Sequence, residues 1–144
     1  MKPNRLARLF IVLAAIAAIL VAGGLAAKAY LEAGLKELAQ ESVPAVDPAS
    51  VPDGVYPGYY ESFPVKVRLE VEVEGGSIAA VRILEHVNGQ GKPAESLAAK
   101  AVLENRIDLE AVSGATYSSK AIMLAMARAL GAAVGSGKAP NPSP

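Results

Sequence analysis

The chain has 144 residues, a formal net charge of zero and 52% hydrophobic residues, enough for one compact domain with accessories and too little for two. With no cysteine and one histidine, it excludes disulfides, iron–sulfur ligation, thioether haem attachment and a thiolate or His-rich metal site within a single chain. From Val51 onward 9 basic and 10 acidic residues give −1, without the basic excess and interleaved aromatics of a nucleic-acid binder.

Residues 1–8 form a basic N-terminus carrying Lys2, Arg5 and Arg8. From Leu9 to Ala27 no residue is charged, and such a run at about 1.5 Å per residue reaches about 28 Å, the thickness of a hydrocarbon core. Residues 9–28 therefore read as a transmembrane anchor. The positive flank keeps the N-terminus in the cytoplasm and places the C-terminal domain outside it, as a single-pass protein of the cell membrane. A cleaved signal peptide is the competing reading, because Ala27-Lys28-Ala29 has the small-x-small form. The run is longer than an ordinary signal core, and the lysine sits awkwardly within that site.

Residues 29–52 read as a helical extension followed by a linker. Leu31, Leu35 and Leu38 share one helical face, and three prolines between Val43 and Pro52 break any periodicity. A folded domain is expected over 53–134, opening with a turn and an aromatic-rich strand from Asp53 to Tyr60. Val65, Val67, Leu69, Val71 and Val73 then alternate with Lys66, Arg68, Glu70, Glu72 and Glu74, the pattern of a strand with one solvated face. Gly75-Gly76 closes a hairpin, and Ile78 to Leu84 returns as its second strand. A looser stretch from Glu85 to Pro93 precedes a helix from Ala94 to Asn105, burying Leu97, Ala101 and Val102. After a short apolar segment, Ile107 to Val112, a last helix is expected from about Ser118 to Val134, burying Ile122, Met126, Ala129 and Leu130. Residues 135–144 have the Gly, Ser and Pro composition of a disordered tail. The fold class is α+β: an antiparallel sheet with a long hairpin packed against two or more helices, preceded by a single transmembrane helix.

The segment Ser113-Gly114-Ala115-Thr116-Tyr117-Ser118-Ser119-Lys120 packs hydroxyls around small residues at a helix start. Small residues admit a ligand close to the backbone. Unpaired amides at a helix N-terminus favour a phosphate. Lys120 adds positive charge where a helix alone prefers acid. The plain alternative is that Ser118 or Ser119 is the N-cap while Ser113 and Thr116 bond within the turn. His86 is either a strand-end residue or a functional imidazole. Tyr56, Tyr59 and Tyr60 read as core or hairpin packing in preference to a stacking platform.

The stretch Val112 to Ile122, the opening Asp53-Gly54-Val55-Tyr56-Pro57-Gly58, the long alternating strand and the loop from Glu85-His86 through Gly91 together resemble the FMN-binding domain family. That family includes the periplasmic flavin subunits of the sodium-pumping quinone reductase and of Rnf-type electron-transport complexes. The resemblance implies FMN as cofactor, joined by a phosphoester to Thr116 by a flavin transferase that consumes FAD. It implies further contacts from Ser113, Gly114, Ala115, Tyr117, Ser118, Ser119 and Lys120, and from His86, Asn88, Gly89 and Gly91. Where the family's signature carries an aspartate, three residues before Ser113, this chain has Glu110, one methylene longer. No residue is assigned a catalytic role and no metal is expected. The implied activity is electron transfer with a membrane redox partner, a quinone or flavoprotein; the alternatives are a flavin-dependent sensory module and an interaction domain without cofactor.

Overall fold

The computed structural model describes residues 4–136. They form two compact units, one ending at Ala33 and one beginning at Gly34. The first belongs to helix α1 (Arg5–Gln40). Within Leu6–Lys36 of α1 the most apolar 18-residue stretch has a mean hydropathy of 2.8, and the helix is long and apolar enough to cross a membrane; large side chains such as Phe10, Ile19 and Leu20 are about 70% exposed. This supports the single-pass anchor.

The second unit follows an α+β order: β1 (Gly54–Ser62), β2 (Val65–Glu74), β3 (Ser77–Val87), α2 (Ser96–Glu104) and α3 (Thr116–Ser136). The strands form one antiparallel sheet in the order β1-β2-β3. Period-2 alternation puts Val65, Val67, Leu69, Val71 and Val73 on one face, none more than 6% exposed. At about 1.5–3 kcal/mol for each fully buried side chain, as an upper bound, that stripe commits the face inward. The opposite face is laced by cross-strand ion pairs, Lys66 with Glu85 at 2.9 Å and Arg82 with Glu70 at 3.7 Å, so it is solvated as its alternation requires. Gly75 and Gly76, at φ 57° and 76°, make the hairpin turn that strand twist favours.

Helix α3 covers β1 and β2, while α2 covers β3. From Ala121 to Ala127 every residue of α3 is buried; the helix is apolar all round because it is the centre of the core. Its close approach depends on Gly58. A Cβ there would lie 2.2 Å from the Ala125 carbonyl oxygen.

Three element boundaries differ from the sequence reading. β3 continues through Val87, because two bulges keep it paired with β2 where glutamate and histidine seemed to end it. A 3₁₀ turn, Lys92–Glu95, opens the α2 region, which Asn105 ends in the left-handed conformation. Ile107 to Val112 takes no regular structure, in keeping with the short apolar connecting segment read there. α3 starts at Thr116, two residues before its expected start, and runs to Ser136, so Gly135 and Ser136 are helical; the rest of the expected tail lies outside the described residues. Residues 34–52, expected to be extension and linker, are packed into the second unit. Leu38 is fully buried, Val51 is 3% exposed, and Pro48 begins a short 3₁₀ turn whose cap is Asp47.

Candidate functional site

The site is built by the turn that launches α3. The Ala115 amide donates to the Val112 carbonyl at 2.9 Å, and Gly114 stands at φ 79°, a conformation glycine adopts without strain. The first helical bond runs from the Ser119 amide to the Ala115 carbonyl at 2.8 Å. Ala115 is therefore the N-cap, and it has no side-chain acceptor. The cap once expected of Ser118 or Ser119 does not form, because both lie inside the first turn and are buried. Ser119 serves the turn differently: its Oγ accepts the Val112 amide at 3.0 Å. Helix geometry leaves the amides of Thr116, Tyr117 and Ser118 without an intrahelical carbonyl. The helix dipole adds positive potential at that end.

Two hollows flank this helix start. The first, about 220 Å³, lies between Gly114–Ser118 and the loop Asn88–Gly91, with Leu35, Pro64 and Val65 completing its wall. The second, about 320 Å³, is lined by Asp108, Leu109, Ala111, Lys120 and Met123, with Val43 at its edge. Thr116 and Tyr117 line both. Thr116 is exposed and stands where the two hollows meet.

The loop and the helix start touch closely. A Cβ at Gly91 would lie 1.9 Å from Ser118 Oγ. Asn88 Nδ2 donates to the His86 carbonyl at 3.1 Å, tying the loop to the end of β3. His86 itself points into the core because of a bulge. The ladder passes from Leu69↔Ile83 to Arg68↔Glu85 and skips Leu84, so the next inward position is His86, opposite Val67. Its side chain is 2% exposed, and its Nδ1 lies 3.1 Å from Glu95 Oε1. A carboxylate can only accept, so Nδ1–H donates. Nε2 is buried with no partner among the described residues, a costly arrangement unless a ligand or water meets it.

The structure thus brings together Asn88, Gly89, Gly91, Gly114, Ala115, Thr116, Tyr117 and Ser118 around the first hollow and adds Lys120 at the second. Ser113 and Glu110 are exposed and line neither of these hollows. The carboxylate beside Thr116 and Lys120 in the second hollow is that of Asp108. Sequence reasoning missed Leu35, Val43, Pro64 and Val65, which the chain brings in from afar. It also missed Glu95, whose role depends on the bulge.

A family model described as FMN-binding domain matches residues 58–131, from the middle of β1 to the later turns of α3. No curated protein and no solved structure matches the chain.

Proposed function

The chain belongs to the FMN-binding domain family and binds FMN, and from that premise we propose that it is a membrane-anchored electron-transfer module whose flavin is joined by phosphoester to Thr116. The residues present fit the group. Uncapped amides and Lys120 suit a phosphate at the start of α3, and the glycine-lined walls of the first hollow admit a flat ring system. Bound FMN supplies reversible uptake and release of electrons.

The observation that carries the covalent reading is the place of Thr116. It is exposed, first in its helix, and shared by both hollows. In the step proposed, Thr116 Oγ attacks the FMN phosphorus of FAD. The Oγ–P bond forms, the pyrophosphate P–O bond breaks, AMP leaves, and the hydroxyl proton passes to a base of the transferase. A phosphoester abolishes loss by dissociation, which suits a cofactor held outside the cytoplasm, the side that Lys2, Arg5 and Arg8 favour. The reading is a carrier that exchanges electrons with a quinone or flavoprotein at the membrane, to which the apolar N-terminal helix would hold it.

The test is co-expression with a flavin transferase, denaturation and in-gel fluorescence. The wild-type band should fluoresce and Thr116→Ala should not. A fluorescent Thr116→Ala band sinks the assignment of the residue. A dark wild-type band over a yellow native protein sinks the covalent bond but not the cofactor.

A further inference from the structure

Both hollows around Thr116 borrow a wall from a segment that precedes the family match. Leu35 lines the first and Val43 the second, whereas the match begins at residue 58. The segment that carries them, residues 34–43, is fastened at three places. At its start, Ser62 Oγ donates to the Gly34 carbonyl at 3.3 Å, and a Cβ at Gly34 would lie 2.7 Å from the Phe63 carbonyl oxygen. In the middle, Leu38 is fully buried. Near its end the Glu41 carboxylate accepts from the Tyr60 hydroxyl at 2.5 Å and pairs with Arg128 at 3.6 Å. Arg128 in turn lies 4.5 Å above the Tyr60 ring. These partners belong to β1 and α3, the two elements that α3 packing already joins, so the latch closes on a rigid base.

We propose that residues 34–43 are a strap that completes the FMN site, with Leu35 as a cofactor-contacting residue and Glu41 as the positioning residue that holds the strap. This rests on the reading that the first hollow receives FMN. An apolar leucine opposite an uncapped helix start divides the hollow chemically: the phosphate belongs at the amides, and the apolar part of the ring system belongs at Leu35. Glu41 touches no ligand. It acts through Tyr60 and Arg128, where a charge-assisted hydrogen bond and an ion pair share one carboxylate. Removing that carboxylate takes away the polar fastening near the end of the strap and leaves the apolar packing of Leu38 and Val43 and the Gly34 contacts.

The absence of cysteine makes the test direct. In the full-length chain, Leu35→Cys introduces a single thiol whose maleimide labelling rate reports exposure of the strap. FMN in excess over its dissociation constant should slow that rate roughly tenfold or more, since only the flavin-free fraction reacts. Adding Glu41→Ala should speed flavin-free labelling by roughly tenfold, the change expected when one charge-assisted contact is lost. Glu41→Gln, which still accepts from Tyr60, should fall between, and Glu74→Ala at the far hairpin should change nothing. In a Thr116→Ala background, where binding is reversible, Leu35→Ala should weaken FMN about tenfold. If FMN binds yet neither protects the thiol nor senses Leu35→Ala, Leu35 is no contact and the proposal falls. If Glu41→Ala leaves flavin-free labelling unchanged, the latch falls. A wild-type chain that binds no FMN overturns the functional reading instead, while the flavin-free arm still decides the latch.

Discussion

Gly91→Ala should damage the site through one defined collision. An alanine Cβ at that position would sit 1.9 Å from Ser118 Oγ and 2.5 Å from Ser118 Cβ. Turning the Ser118 side chain removes only the first of these. The second leaves the pair about 0.9 Å short of the ordinary contact distance of 3.4 Å, so the loop 88–91 or the first turn of α3 must shift by about 1 Å. Backbone conformation is the smaller obstacle, because Gly91 has φ −81° and ψ 2°, in the bridge region that residues with a side chain also occupy, though sparsely. Overpacking of this kind costs about 1–3 kcal/mol. The lost glycine freedom in the unfolded chain returns about 0.4–1 kcal/mol. The net spans about 0–2.6 kcal/mol with a centre near 1.3 kcal/mol, and that central value lowers the Tm of a domain this size by roughly 5–10 °C. FMN affinity should fall with it, since the displaced loop and helix start are the two sides of the first hollow. Circular dichroism melts and FMN titration of the full-length protein measure both. Gly89→Ala is the matched control, with nothing within 4 Å of its added Cβ. In the Gly91→Ala background, Ser118→Gly should restore much of the loss and Ser118→Ala little, because alanine keeps the colliding Cβ. Equal melts for Gly91→Ala and Gly89→Ala, or equal rescue by Ser118→Ala and Ser118→Gly, would refute the reasoning.

Substitutions at two further positions probe how the core is held together. Gly58→Ala meets a backbone carbonyl, Ala125 O at 2.2 Å, and Leu69 Cδ1 at 2.9 Å. No side-chain rotation relieves the first, so the loss should reach about 3 kcal/mol and exceed that of Gly91→Ala; a smaller drop in the urea midpoint contradicts the packing argument. Asn105 ends α2 at φ 49°, and its Oδ1 accepts the Ile78 amide at 2.8 Å. Asn105→Gly should lose only the hydrogen bond, about 1 kcal/mol, whereas Asn105→Ala adds left-handed strain of about 1 kcal/mol or more. Identical midpoints for the two variants count against the strain.

Much of the fold was legible because its signals are local. Val65 to Glu74 alternate in a period that only a half-buried strand satisfies, and Gly75-Gly76 supplies the turn. The site was legible in part for the same reason. Ser113 to Lys120 is a continuous stretch, and a helix start gathers its own residues. The exact beginning of α3 was not legible. Ser118 and Ser119 both looked like caps, but both are buried inside the first turn, and Ser119 Oγ accepts the Val112 amide instead. The direction of His86 was hidden too, since simple alternation from Ile83 predicts that it points outward. Only the bulge at Leu84 reverses it, and a bulge arises from the pairing of two strands, which neither strand's own sequence expresses.

The sequence by itself determined the anchor, the solvated and buried faces of the hairpin, and the chemistry available at Thr116, because hydropathy, periodicity and side-chain type act over a few residues. Tertiary structure alone decided that Leu35 and Val43 wall the site, that Asp108 and not Glu110 lines the hollow beside Thr116, and that Glu41, Tyr60 and Arg128 meet. Those residues come together because the core must bury Leu38 and α3 on the same sheet, a constraint that acts across the whole domain and leaves no pattern along the chain.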